Sequence, residues 1–292
     1  MGHDYSLAHL TVLSLAPPEV VDVAARCGYR YVGLRLTRVT PEETLYDLAH
    51  DRALMKETQA RLADSGMEVH DVELFRMDPS LDAESFIPVL DAAAELRATN
   101  IIAQLPDPNR ERATARFAKL CDLAKPMGIF VSLEFPHWTE TGNLAAAERI
   151  VRAVNRSNAG ILVDMLHFGR SDSTLEALAE IPREWLRFAH VCDAAKEVPP
   201  TMAGMIRTGR DERQFPGEGG IDVRGILACM PQDIPYALEI PRATLTRALG
   251  PEAVALQAIR VTRCHLEGSP EGSVSRREVS PARKTARAES RA

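Results

Sequence analysis

The alternation of short apolar runs with longer amphipathic segments constrains the fold more than any other feature of this sequence. Eight runs have the composition of β-strands, and they lie at residues 8–13, 30–36, 68–75, 100–105, 129–135, 160–164, 187–192 and 235–240. Several are apolar at consecutive positions, which is typical of strands covered on both faces. The intervening segments, such as PPEVVDVAARCG and ALMKETQARLADSG, place apolar residues at helical spacing and end at glycine.

This alternation predicts an α/β fold, and the number of units favours a closed (β/α)8 TIM barrel over residues 1–267. Eight strand–helix units in about 265 residues match the usual size of such a barrel. A doubly wound open sheet is the alternative architecture. It is the weaker one because no GxGxxG or P-loop motif follows any predicted strand.

The composition changes at Gly268, where the apolar periodicity ends. Residues 268–292 carry six basic and three acidic residues and almost no aliphatic residue besides alanine. A segment of this kind cannot bury enough apolar surface to offset the entropy of ordering its chain. The sequence therefore predicts a disordered, basic C-terminal tail after the barrel.

Charge and composition argue against several classes of protein. The formal net charge of −6 disfavours a nucleic-acid-binding protein, because such proteins are usually basic. No segment approaches the roughly 20 apolar residues of a transmembrane helix, so we expect no membrane association. The apolar residues 7–16 follow no Lys or Arg, which favours a first strand over a signal peptide. Five scattered cysteines without a CxxC pair indicate a reduced, cytoplasmic protein.

The last four predicted strands each bring a potential metal ligand to their C-terminal end. These strands read VSLEF, ILVD, FAHVC and YALEI, and the residues are Glu134, Asp164, His190 and Glu239. In a TIM barrel such strand ends converge on the catalytic face. One such residue alone is more often a helix cap or an ion-pair partner. Four on successive strands favour a divalent ion, with Mn²⁺, Mg²⁺ or Co²⁺ preferred and Zn²⁺ also compatible.

These strand ends resemble those of the xylose isomerase-like TIM barrels. That superfamily includes sugar isomerases, ketose 3-epimerases, inosose and 3-dehydroshikimate dehydratases, and endonuclease IV. The resemblance covers residues 7–265, and its most specific pieces are LEFPH, VDMLHFGR, AHVCDA, RQFPGEGGID and ALEIP. It implies that the four strand-end residues hold the metal. It also implies acid–base roles for Glu134 and Glu239 and a catalytic His167 that faces the substrate.

The same resemblance implies further substrate contacts on the loops above the barrel. The arginine upstream of the PGEG loop is Arg213 or Arg210, with Arg213 preferred, while Arg170 and His137 follow strands six and five. The alternatives are a surface ion pair for Arg170, a plain loop position for His137 and a helix-capping role for His167. Asp193 is expected to orient either His190 or a neighbouring loop.

The resemblance implies an isomerase or epimerase of a small polyhydroxy carbonyl compound, acting through an enediolate. A dehydratase of the inosose or 3-dehydroshikimate type is the main alternative, and a non-catalytic barrel subunit is a weaker one. The endonuclease branch is disfavoured because the third and fourth strand ends, VELFRM and AQLPD, lack the histidines that it needs. The expected partner is a small molecule, and family members are often homo-oligomers.

Overall fold

Eight parallel strands close into a barrel in sequence order, with β8 returning to pair with β1. The computed structural model describes residues 2–268. The strands are β1 (Tyr5–Leu7), β2 (Tyr31–Arg35), β3 (Glu68–Arg76), β4 (Asn100–Gln104), β5 (Phe130–Glu134), β6 (Ala159–Asp164), β7 (Ala189–Val191) and β8 (Tyr236–Leu238). The predicted α/β class and the (β/α)8 TIM barrel are therefore confirmed.

Helices follow the strands and cover the outside of the barrel. They are α1 (Pro17–Cys27), α2 (Arg52–Ser65), α3 (Ile87–Glu95), α4 (Arg110–Ala124), α5 (Leu144–Val154), α6 (Met165–Gly169), α7 (Leu175–Ala179), α8 (Met202–Asp211), α9 (Val223–Ala228), α10 (Ala243–Leu249) and α11 (Pro251–Glu267). Helix α5 shows how the sequence sets their bounds. The Asn143 side chain accepts a hydrogen bond from the Ala146 amide at its start, and Asn155 adopts a left-handed conformation at its end.

The first predicted strand was wrong in position. Strand β1 lies at Tyr5–Leu7, and most of the predicted segment, residues 8–13, forms a 3-10 helix over His9–Val12. All four residues of this helix are buried. The Thr11 hydroxyl donates to the Leu238 carbonyl oxygen at 2.7 Å, which fixes the turn to the end of β8. The apolar character of this segment therefore serves packing against the barrel end rather than strand pairing.

The interior of the barrel is filled by a separate small core. Its five buried residues, called the inner cluster below, are Leu74, Ile102, Leu162, Phe188 and Ala237. A larger apolar core lies between the strands and the surrounding helices. The inner cluster forms an apolar floor, and polar side chains follow at the C-terminal strand ends. Adjacent ends are in register there, as in the pairs Gln104–Glu134 and Asp164–His190.

The predicted tail, residues 268–292, lies outside the described residues except for Gly268. Within residues 2–268, no helix combines the length and the apolar content that crossing a bilayer requires.

Candidate metal centre

The structure brings the four predicted metal ligands together. Glu134 and Asp164 are the last residues of β5 and β6, His190 is the middle residue of the short strand β7, and Glu239 directly follows β8. One ligand atom from each residue lies within 4.8 Å of the others. All four residues are buried, with at most 4% of their surface exposed. We call these four residues the candidate metal centre.

His190 lies at the middle of this centre. Its Nδ1 atom is 3.5 Å from a Glu134 oxygen, 3.7 Å from an Asp164 oxygen and 3.3 Å from a Glu239 oxygen. Neither ring nitrogen has a hydrogen-bond partner among the described residues. Burial opposes protonation of the ring, but the three carboxylates outweigh burial and raise the pKa of His190 well above its usual value. Three carboxylates around an imidazole nitrogen form a donor set that fits a divalent cation.

Arg213 offsets the negative charge of two of the three carboxylates. Its guanidinium group donates to an Asp164 oxygen and to a Glu239 oxygen, both at 2.6 Å, and the residue is 3% exposed. Although burial opposes ionisation of Glu239, Arg213 and then His190 lower its pKa to about 2. Arg213 therefore touches the candidate ligands directly, and its predicted contact with substrate stays a prediction.

The strand-to-helix turn after β6 positions His167. Asp164 caps helix α6, because its side chain accepts a hydrogen bond from the His167 amide at 3.1 Å. The capping residue is therefore Asp164, and the buried His167 side chain lines a cavity beside Glu134 and Glu239. The His167 Nδ1 atom lies 3.0 Å from the Nδ1 atom of His137. Burial lowers the pKa of His137 to about 3 and also lowers that of His167, so both rings are neutral near pH 7.

His137 and Arg170, which were predicted to contact the substrate, do not line this cavity. The half-buried Arg170 side chain donates to the Ala195 carbonyl oxygen at 3.2 Å. His137 lies behind His167, to which it is hydrogen-bonded. The structure thus places only His167 of these three residues at the cavity, and the substrate roles of the other two stay predictions.

Several residues at the cavity were not predicted. The cavity has a volume of about 40 Å³ and is lined by Leu10, Arg35, Val39, Glu73, Leu74, Gln104, Glu134, Trp138, His167, Gly209, Arg210, Arg213 and Glu239. Gln104 donates to a Glu134 oxygen at 2.5 Å, and Arg35 pairs with Glu73 at 3.2 Å. Arg35, Glu73 and Gln104 are polar residues at or near the ends of apolar strands. The pattern that marked the four ligands therefore also marks these residues on strands two to four, where only histidines were sought.

Asp193 orients the loop that carries the PGEG motif. Its two carboxylate oxygens accept hydrogen bonds from the amides of Ala194, Gly217, Gly219 and Ile221, at 2.8–3.0 Å. A Cβ atom on Gly219 would lie 2.1 Å from the Ala194 carbonyl oxygen, so a side chain does not fit there. Of the two predicted roles for Asp193, these contacts support orientation of the neighbouring loop.

Comparison with known proteins identifies the family and several relatives. A family model described as xylose isomerase-like TIM barrel matches residues 21–264. An inosose isomerase from Bacillus subtilis (strain 168) is 30% identical over 115 residues, which are 38% of this chain and 39% of that protein. A 3-dehydroshikimate dehydratase from Pseudomonas aeruginosa is 29% identical over 111 residues, which are 38% of this chain and 17% of that protein. The chain thus spans less than two thirds of the length of these relatives.

A solved structure shares the fold over nearly the whole chain. An IOLI protein with a binding zinc atom has a TM-score of 0.74 at 19% identity, and the match covers 90% of this chain and 98% of that one. At this identity the likeness shows the common barrel architecture.

Proposed function

Because the chain belongs to the xylose isomerase-like TIM barrel family, we propose that it is a divalent-metal-dependent isomerase or epimerase. The proposed substrate is a small polyhydroxy carbonyl compound, and an inosose is the first one to test because an inosose isomerase is among its relatives. The convergence of Glu134, Asp164, His190 and Glu239 within 4.8 Å is the observation that carries the proposal. Mn²⁺, Mg²⁺ and Co²⁺ suit these donors, and Zn²⁺ is a further choice.

The four residues of the candidate metal centre would hold the ion. When bound, a divalent ion polarises a substrate carbonyl and a neighbouring hydroxyl, and this makes the C–H bond between them more acidic. Arg213 stays ion-paired to Asp164 and Glu239 and so keeps both carboxylates ionised. His190 has to lose its proton to act as a ligand, which makes metal binding weaker as the pH falls.

The two glutamates are placed to move the proton. Glu134 and Glu239 come from different strands and both line the cavity. One carboxylate can take the proton from carbon, and either can return it to the neighbouring carbon or to the opposite face. General acid–base catalysis of this kind contributes typically ~10²–10⁴ in rate. The neutral His167 ring lies at the cavity, where it can hydrogen-bond to a substrate hydroxyl.

The cavity has to widen before a substrate enters. Its volume of about 40 Å³ leaves room for ordered water. Sites for small ligands usually measure about 300–1,000 Å³. The outer lining includes Val39, Trp138 and Arg210, which lie on a loop or helix after a strand rather than on the strands themselves. These segments have to shift when the substrate binds, while the strand-end residues stay in place.

The test begins with the protein stripped of metal by a chelator and then loaded with Mn²⁺, Co²⁺, Mg²⁺ or Zn²⁺. Each form is assayed with a panel of inososes, ketoses and 3-dehydroshikimate. We expect isomerisation or epimerisation with at least one metal and loss of activity on chelation. A protein that binds metal and converts none of these compounds would support a non-catalytic barrel instead. Absence of metal binding by isothermal titration would refute the proposed centre.

A dehydratase is the second candidate, and a positive charge at the cavity favours it. The Arg210 side chain lines the cavity and forms no hydrogen bond or ion pair with any of residues 2–268, although Glu43 is a nearby negative charge. An unpaired arginine suits a carboxylate on the substrate, and a 3-dehydroshikimate dehydratase is among the relatives. In this case Arg210→Ala should raise KM for 3-dehydroshikimate. The exposed Arg207 on the same helix provides the control, Arg207→Ala, which should leave KM unchanged.

The proposal also covers the extent of the catalytic domain, the location of the protein and its oligomeric state. We propose that residues 1–267 form the catalytic domain, that the protein acts on a small molecule in the cytoplasm, and that it is compatible with a homo-oligomer. Sedimentation velocity of the full chain measures the oligomeric state directly.

A further inference from the structure

Strand β3 carries an inward-facing carboxyl group, Asp71, inside the barrel. Asp71 is 1% exposed, and neither of its carboxylate oxygens has a hydrogen-bond partner among residues 2–268. Its neighbour in register on β2 is Gly33. A Cβ atom on Gly33 would lie 2.7 Å and 2.9 Å from the two Asp71 oxygens. Gly33 therefore leaves the space that this carboxyl group occupies.

Two buried hydroxyl groups face the same interior. Ser6 on β1 and Ser132 on β5 are fully buried, and neither hydroxyl has a partner in the described part of the chain. Ser6 is in register with Ala237 of the inner cluster, and Ser132 precedes Glu134 by two residues and so shares its face. Inward-facing residues on alternate strands form layers in a TIM barrel, and β1, β3 and β5 are alternate strands. Since buried polar groups are nearly always hydrogen-bonded, these three side chains are suited to hold internal water.

The ring of His190 provides a hydrogen-bond donor for such a water. Its Nδ1 atom faces the three carboxylates, so its Nε2 atom points away from them, and Nε2 has no partner within residues 2–268. Burial raises the pKa of Asp71 to about 7, whereas the charge on His190 opposes this rise and nearby carboxylates add to it. Asp71 therefore lies within electrostatic reach of the candidate metal centre.

We propose that Asp71 is a positioning residue of the metal centre and accepts the Nε2–H of His190 through a water held with Ser6 and Ser132. Such a contact keeps the proton on Nε2 and leaves Nδ1 free to bind the metal. Metal-ligating histidines usually donate their second ring N–H to a carboxylate, a carbonyl or a water, and this contact orients the ring. The inference rests on the proposed function only in requiring that the centre binds a metal.

The test measures metal affinity rather than turnover. Asp71→Asn removes the charge and keeps the size, so we expect the affinity for Zn²⁺ or Co²⁺ to fall roughly 10–100-fold. Affinity is measured by competition with a chromophoric chelator, and the visible spectrum of the Co²⁺ protein reports the geometry of the centre. The matched control is Thr262→Val, which removes another buried, unpartnered hydroxyl on α11. This control should retain wild-type affinity.

A second variant, Gly33→Ala, keeps the inference testable if Asp71→Asn does not fold. Gly33→Ala places a methyl group against the Asp71 carboxylate and should weaken metal binding in the same direction. Metal affinity within twofold of the wild type in Asp71→Asn or in Gly33→Ala overturns the inference and leaves the proposed function intact. Failure of the wild-type protein itself to bind either metal overturns both.

Discussion

Replacing Arg213 with methionine tests whether this residue balances the charges of the metal-free centre. The substitution keeps most of the apolar stem and removes the guanidinium group. Asp164 and Glu239 each lose a partner at 2.6 Å, and His190 remains as the positive charge that both of them contact. All of these residues are buried. We therefore expect a large loss of stability in the protein without metal.

The size of the loss follows from the burial of the pair. Removing one partner of a buried ion pair typically costs about 3–5 kcal/mol, because the remaining charge is left uncompensated. In a domain of this size, 1 kcal/mol corresponds to roughly 2–4 °C in Tm, so Tm should fall by roughly 6–20 °C. A bound divalent cation replaces the lost positive charge. Saturating metal should therefore stabilise Arg213→Met more than it stabilises the wild type.

The assay is urea unfolding of the chelator-treated protein at pH 7, repeated with excess Mn²⁺. The control is Arg183→Met, which makes the same substitution in the exposed pair between Arg183 and Asp233, whose side chains are 65% and 68% accessible. Exposed pairs contribute at most about 1 kcal/mol. If Arg213→Met loses no more stability than Arg183→Met in the metal-free protein, the assigned charge balance is wrong.

Three further predictions concern activity, pH and the C-terminal segment. Glu239→Gln should abolish turnover and weaken metal binding, and near-normal kcat with unchanged metal affinity would remove Glu239 from the site. Burial lowers the pKa of His9 to about 4 from about 6.5, so the unfolded chain binds the extra proton between these values and stability falls as the pH drops through them. His9→Gln should reduce this slope by up to about 1.4 kcal/mol per pH unit in urea titrations, and an unchanged slope would contradict this assignment. Deleting residues 268–292 should leave turnover and Tm intact, and a large fall in Tm would show that these residues belong to the fold.

The sequence predicted most of the barrel because seven of its strands coincide with apolar runs bounded by turn residues. It misplaced the first strand for a physical reason. Tyr5–Leu7 has only three residues, too few to show a period, while the apolar His9–Val12 segment that follows is buried as a 3-10 helix. An apolar run indicates that a segment is buried, but burial alone does not distinguish a short strand from a packed turn.

The four candidate ligands could be predicted because each one interrupts or ends an apolar run at a strand terminus. The contacts of Arg213 could not, since they join a residue after α8 to the ends of β6 and β8. The position of Asp71 inside the barrel could not be predicted from the sequence either. A polar residue within VHDVELF is equally consistent with the outer or inner face of a strand. In the structure it is buried and shares the face of Glu73, which lines the cavity.

The pairing of Arg213 with two carboxylates bears on how the proposed centre would take up a metal. Arg213 and the protonated His190 offset most of the negative charge of the three carboxylates, so we expect the barrel to fold without a bound ion. An ion bound at the proposed centre would then be exchangeable rather than structural. Its identity would depend on which metals surround the folded protein, with tighter-binding ions displacing weaker ones in the Irving–Williams order.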